Sequence, residues 1–135
     1  MWWFNKGEQK EIWDEQIEWP IGDIEAAHRI RDICRFAADS AERMGSLTDG
    51  AVSKKKKSEI NNKDAAARYQ RAAKAAMEIA MKISDDLLRD SAVRQIVDLC
   101  LKANDTRTAR PLFRAIQAAS IRDDVLKHHP ILRSE

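Results

Sequence analysis

The feature that most constrains this chain is the spacing of its apolar residues, which recur three or four positions apart. The clearest example is a stripe in residues 23–44, formed by Ala26, Ile30, Ile33, Cys34, Ala37, Ala41 and Met44. Such spacing gathers side chains on one face of an α-helix, whereas a half-buried strand alternates every second residue. Only 4 glycines and 3 prolines interrupt 135 residues. The sequence therefore predicts an all-α protein.

Turn residues divide the chain into five or six helices, and its length fits a single helical domain, 1–135. The stretch GSLTDGAVSKKKKSEINN, residues 45–62, combines glycine, small polar residues and lysine, which predicts an exposed lysine-rich loop. The predicted helices are 8–18, one from Asp23 to about Met44, one from Asp64, 87–103, one starting near 106–108, and one from about Ser120 to His129. The predicted core includes Leu88, Ile96, Leu99, Phe113 and Ile116.

A second pattern is a repeat at an offset of 33 residues. ISDDLLRD begins at Ile83 and IQAASIRD begins at Ile116, so that Arg89 falls on Arg122 and Asp90 on Asp123. The matches span the end of one helix, a tight turn and the start of the next helix. This period is typical of stacked helical hairpins, in which each unit buries its apolar face on the next. A plain helical bundle would show the same apolar stripes, so both architectures remain open.

The segment LLRDSAVRQIVDLCLKANDTRTARPLFRAIQAASIRD resembles tetratricopeptide-like helical repeats, and the resemblance covers about residues 76–123. Ala109 and Phe113 match the small and aromatic positions of the second helix of such a repeat, and Ile96 and Cys100 match apolar positions of the first helix. The chain departs from the pattern at Val97, where a small residue is usual, and no proline closes the unit. The resemblance implies an α-solenoid fragment with a concave surface for a protein or peptide.

Residues 1–20 form an aromatic, acidic head segment. Residues 1–25 carry two lysines and seven acidic residues, whereas the rest of the chain carries 22 basic and 15 acidic residues. Large aromatic side chains lose rotamer freedom on ordering and gain stability only where they are buried. We therefore expect the head to dock on its own helices or on a second copy, and we predict a homodimer or another protein partner. The interaction residues predicted from this segment are Trp2, Trp3, Phe4, Trp13 and Trp19.

The lysine run Lys54, Lys55, Lys56 and Lys57 is a candidate anion contact, because clustered lysines displace the counterions of phosphates. The nearest aromatic residue is Tyr69, so a stacking platform for bases is missing beside it. A solvated loop is the favoured interpretation, with nucleic acid and an acidic protein as the alternatives.

Arg122 and His128 form the candidate catalytic pair. Their spacing is similar to the short motif of HEPN ribonucleases, and this resemblance implies that the arginine would stabilise phosphate and the histidine would transfer a proton. His28 with Asp32, and Asp124 with His128, could each offer two metal ligands from one helical face, but neither pair has further ligands. The sequence therefore predicts no metal site, and it has no motif for a cofactor.

The cellular context follows from hydropathy and cysteine use. No apolar run approaches the roughly 20 residues that a membrane span needs, and Cys34 and Cys100 stand alone, which predicts buried free thiols in a cytoplasmic protein. The function predicted from these observations is a non-enzymatic helical protein–protein interaction or adaptor module. The alternative is an RNA-binding or HEPN-like ribonuclease protein that uses Arg122 and His128.

Overall fold

The computed structural model of the protein describes residues 11–14, 17, 19–48 and 56–133, with the backbone alone for 47–48 and 56–62. This part of the chain is all-α and holds no strand, which confirms the predicted fold class. Its five α-helices are α1 (Asp23–Thr48), α2 (Lys56–Ala80), α3 (Asp86–Lys102), α4 (Thr106–Ala115) and α5 (Ala119–His128). Two short 3₁₀ helices, Ile12–Asp14 and Pro130–Arg133, flank them.

The helices pack around α1 and α3. Helices α1 and α2 run antiparallel, because the start of α1 meets the residues that follow α2, and Ser40 in its middle meets Arg68. Helix α1 also packs beside α3, which in turn contacts α2, α4 and α5. The Cys34 and Ile33 side of α1 therefore faces two helices rather than one. Because α3 has several neighbours, its buried apolar residues cover more than one face of the helix.

The core agrees with the predicted stripes. Ile96, Leu99 and Ile116 are buried, and Leu88 and Phe113 are half-buried against the same cluster. The side of α2 that meets α1 is rich in alanine, which lets two helix backbones approach closely. The buried alanines of α2 are Ala65, Ala72, Ala73, Ala76 and Ala80.

Two predicted boundaries are wrong. Helix α1 continues to Thr48 and α2 begins at Lys56, so the connection expected over 45–62 is shorter, with only 49–55 outside the described residues. Lysine is a good helix former, and Lys56 and Lys57 accordingly belong to the first turn of α2. The helix expected at 8–18 is reduced, among its described residues, to the single turn Ile12–Asp14, and Ile17 is not helical.

Gly45 marks the closest approach of α1 to the end of α3. A Cβ atom at this position would lie 2.2 Å from the carbonyl oxygen of Lys102. The chain then leaves α3 through Asn104, whose φ of 59° is left-handed and whose side-chain amide donates to the Gly45 carbonyl at 3.3 Å. The next residue, Asp105, caps α4 and accepts a 2.6 Å hydrogen bond from the Tyr69 hydroxyl of α2. The α3–α4 turn thus joins four helices.

We expect Gly45→Ala to lower the free energy of unfolding by about 1–3 kcal/mol, because the added methyl group meets backbone rather than a movable side chain. Gly22→Ala is the matched control, since a Cβ at Gly22 meets no atom within 4 Å, and its effect should stay below about 1 kcal/mol. Urea denaturation followed by circular dichroism measures both. Equal stability of the two variants would contradict the close approach.

Carboxylates from neighbouring helices hold the segments before α3 and before α5. Asp23, the first residue of α1, accepts hydrogen bonds from the backbone amides of Ser84 and Asp85 at 3.0 and 2.9 Å. Asp90 of α3, only 2% exposed, accepts from the amides of Gln117 and Ala118 at 3.1 and 2.9 Å. The two amide pairs are 33 residues apart, which is the offset of the sequence repeat.

We expect Asp90→Ala to lower the free energy of unfolding by about 2–3 kcal/mol, because it removes a buried charged acceptor from two amides. Asp123→Ala provides the control at the matching repeat position, where the side chain is exposed, and should change stability by less than about 0.5 kcal/mol. Chemical denaturation of the two variants and the wild type makes the comparison. A loss at Asp123 as large as that at Asp90 would contradict this assignment.

Candidate interaction surface

The described part of the head segment docks on its own chain. Trp13 is 6% exposed, and the Arg68 guanidinium of α2 lies 5.2 Å from the centre of its ring. Arg68 also donates to the hydroxyl of buried Ser40 at 2.9 Å and to the Glu11 carboxylate at 3.2 Å. A cation over a tryptophan face stabilises both groups by roughly 0.5–2 kcal/mol. Residues 11–14 are therefore fastened to α1 and α2 by one buried aromatic ring and one arginine.

The other predicted head residues have different positions. Trp19 is 39% exposed, with the Lys82 ammonium 5.0 Å from the centre of its ring. Trp2, Trp3 and Phe4 lie outside the described residues.

Exposed apolar side chains gather at the end of the molecule where α1 and α3 begin. The Asp23 carboxylate and the amides of Ser84 and Asp85 meet there. The exposed apolar residues at this end, named here the apolar end, are Trp19, Ile24, Met81 and Leu87. Ile24 is 66%, Met81 79% and Leu87 62% exposed. Single exposed apolar residues are ordinary on soluble proteins, but a group of four on neighbouring segments is typical of an interaction surface.

An apolar groove adjoins this end at Met81. It has a volume of about 290 Å³ and is bounded by the end of α2, by α3 and by α4. Val93 and Ile96 of α3 form its floor, and Leu112 lies on its α4 side. The charged groups in its lining are engaged: Arg89 donates to the Ile83 carbonyl and to Asp86, and Asp90 accepts from the amides before α5. The groove therefore offers apolar contact rather than free hydrogen-bonding groups.

Of the residues at this surface the sequence analysis named Trp19, and it missed the others. Met77 and Met81 stand outside the alanine stripe of α2, and Ile24 and Leu87 stand outside the stripes of α1 and α3. In the sequence these residues are marked only as apolar side chains that lie outside the helical stripes. That indication is weak, because exposed apolar residues are common.

The structure separates the two residues of the candidate catalytic pair. The Arg122 guanidinium donates to the Ile116 carbonyl at 3.0 Å, as the Arg89 guanidinium donates to the Ile83 carbonyl at 3.3 Å. Both arginines therefore close a turn between two helices. His128 lines a different cleft, of about 410 Å³, whose lining does not include Arg122.

The cleft at His128 is charged, and its side chains bind one another. His129 Nε2 lies 3.0 Å from an Asp98 carboxylate oxygen, and Arg94 pairs with Asp124. His128 Nδ1 donates to the Asp124 backbone carbonyl at 2.9 Å. These contacts connect α5 to α3, so the polar side chains at this cleft have a structural role in packing the two helices together.

The remaining candidate sites have less structure around them. Lys54 and Lys55 lie outside the described residues, and Lys56 and Lys57 are described only as backbone at the start of α2. His28 and Asp32 line one shallow cleft together with Trp13. Within the described ranges, no three histidine, cysteine or acidic side chains are grouped closely enough to hold a metal ion. No helix in the same ranges combines the length and apolarity that crossing a membrane requires.

Both cysteines are free thiols packed between α1 and α3. Burial raises the pKa of Cys34 from 9.0 to about 12, and proximity to Cys100 and Asp98 adds to the shift. Burial also raises the pKa of Cys100 to about 11, although the nearby Tyr69 hydroxyl opposes the shift. Since the thiolate is the reactive form, neither residue is suited to nucleophilic chemistry at neutral pH.

Comparisons of the chain with models of protein families, with curated proteins and with solved structures found no match. The function proposed below therefore depends on the surfaces of the molecule.

We expect both thiols to react with a disulfide reagent at pH 8 at least about tenfold more slowly in the folded protein than in urea, because the raised pKa values leave little thiolate. The same shifts stabilise the native state fully below pH 9, and this stabilisation is lost as the pH rises toward 11–12. Absorbance stopped-flow measures the rates. Equal rates with and without urea would contradict the burial of these thiols.

Proposed function

We propose that the protein is a non-enzymatic helical protein–protein interaction module that self-associates as a homodimer. The observation that supports this most directly is the apolar end, where four large apolar side chains are exposed on adjoining segments. Full burial of such a side chain contributes about 1.5–3 kcal/mol. A soluble chain gains this energy only when another surface covers them.

Two-fold symmetry makes self-association the simplest arrangement. In a two-fold pair the same patch is buried on both chains, so the burial energy of each exposed residue is gained twice. The gross gain is on the order of 10 kcal/mol, similar to the roughly 4–15 kcal/mol that association costs. The dimer should therefore dissociate on dilution. Trp2, Trp3 and Phe4 enter this proposal from the sequence alone, as additional apolar area at the interface.

The ribonuclease alternative has less support. It requires Arg122 and His128 to act on one phosphate, yet the Arg122 guanidinium is engaged at a helical turn and His128 lines a separate cleft. The matching contact of Arg89 gives Arg122 a structural role.

Light scattering across a dilution series tests the dimer. Wild-type protein should show a mass near twice 15.4 kDa at high micromolar concentration and should approach the monomer mass on dilution. The double variant Ile24→Glu/Leu87→Glu should be monomeric at all concentrations, because it buries charge at the interface. Trp3→Ala should shift the dissociation midpoint to higher concentration, since it removes apolar area.

Phe36→Glu is the control for this experiment. Phe36 is exposed on α1, about 20 Å along the helix from Asp23, and its replacement should leave the mass unchanged. A monomer mass for the wild type at high micromolar concentration would overturn the proposed self-association.

A further inference from the structure

A cleft separate from the groove beside Met81 lies where α4, the last turn of α5 and the 3₁₀ turn Pro130–Arg133 meet. Its volume is about 240 Å³. Three of the residues that line it are apolar and buried or half-buried, namely Phe113, Leu126 and Leu132. The other three are the arginines Arg110, Arg114 and Arg133. The cleft thus combines apolar surface with several guanidinium groups.

The arginines converge because of local geometry. Arg110, Phe113 and Arg114 stand at positions i, i+3 and i+4 and therefore share one face of α4. The 3₁₀ turn that follows α5 packs on both α5 and α4, which brings Arg133 into the same lining. The grouping of three cationic side chains is therefore a consequence of the fold.

Two of these arginines differ from others in the chain in having no protein partner. Arg68 and Arg89 pair with carboxylates, whereas neither Arg114 nor Arg133 makes a hydrogen bond or ion pair with a residue that the structure describes. None of the described residues that line the cleft is acidic, and Asp123 of α5 is exposed outside the lining. Positive charges held close together repel one another, and an anion between them reverses the sign of the interaction.

The composition of the lining selects the kind of anion. A guanidinium fork matches both carboxylate and phosphate oxygens. A phosphate monoester carries a charge of about −1.5 to −2 at about pH 7 and has three acceptor oxygens, so it accepts from two arginines at once. The apolar side chains beside the arginines favour an apolar substituent on the phosphate. The cleft is smaller than the roughly 300–1,000 Å³ of drug-sized pockets, so this substituent is small.

We propose that this cleft binds a small phosphate monoester with an apolar or aromatic substituent. Arg114 and Arg133 donate to the phosphate oxygens, and the substituent packs on Phe113, Leu126 and Leu132. The site lies on elements that do not form the apolar end, so it goes beyond the proposed self-association and does not depend on it.

Phenyl phosphate is the probe that tests this site, titrated into labelled protein in a phosphate-free buffer and followed by ¹H–¹⁵N correlation spectra. The amides of residues 110–114 and 131–133 should shift and saturate, with a Kd on the order of 1 mM or below. Methyl phosphate lacks the ring and benzoate lacks the phosphate, and each should bind at least about fivefold more weakly. Raising the salt concentration from about 0.05 to 0.3 M should weaken binding, because ions screen exposed charges.

Protein variants assign the contacts. Arg114→Gln/Arg133→Gln should weaken phenyl phosphate at least about tenfold. Arg114→Lys/Arg133→Lys keeps the charge and removes the planar fork, and should weaken it about threefold or more. Arg31→Gln/Arg35→Gln makes the same change of net charge at exposed positions of α1, away from the cleft, and should leave the affinity within about twofold. Circular dichroism confirms that each variant is folded.

Each outcome supports or overturns a stated part of the proposal. No shift at these amides up to about 10 mM probe, or an affinity that the glutamine variant leaves unchanged, would overturn the site. Equal binding of methyl phosphate would overturn the apolar substituent, and equal binding of benzoate would overturn the preference for phosphate. Vesicles containing phosphatidic acid, or single-stranded RNA, might replace the probe; if either bound through Arg114 and Arg133 while phenyl phosphate did not, a small free ligand would be wrong. Self-association is measured without the probe, so its failure is read separately.

Discussion

The structure depends on how the backbone amides at the starts of α3 and α5 find acceptors. The first turn of a helix leaves four N–H groups without intrahelical partners. Asp85 caps the first turn of α3 with its own side chain, but the amides that precede the helix are held by Asp23 of α1. Before α5 the acceptor is Asp90 of α3. A carboxylate of one helix thus fixes where a later helix begins.

This constraint also shapes the apolar groove beside Met81. Asp90 lines the groove and holds the α4–α5 connection at its edge. At the far end of α3, the turn at Asn104 and Asp105 is tied to α1 through Gly45 and to α2 through Tyr69. Because both ends of α3 are fastened, α2 and α4 are held at set positions on it. The groove between them is therefore part of the fold.

The sequence predicted features that depend on neighbouring residues better than features that depend on contacts between distant parts of the chain. Apolar periodicity identified the helical class and buried residues such as Ile96 and Ile116, because burial repeats at every turn of a helix. The lysine run was assigned to a loop on its charge, although lysine favours helix and Lys56 begins α2. The role of Asp90 could not be predicted, since its partners are amides 27 and 28 residues away and no spacing rule indicates them. The groove was missed for the same reason: three separate helices line it.

The charge asymmetry of the chain is visible in where the structure places its ion pairs. Part of the acidic head forms ion pairs within the chain: Glu11 pairs with Arg68, and the Asp14 carboxylate lies 3.8 Å from the Arg71 guanidinium. Those contacts offset the positive charge of two arginines on the face of α2 that packs against Trp13. Helix α4 has three arginines and no acidic residue of its own, so the basic character evident in the sequence is concentrated on this helix. The acidic residues of the head are therefore paired with arginines of α2, whereas α4 carries its arginines without an acidic residue in its own sequence.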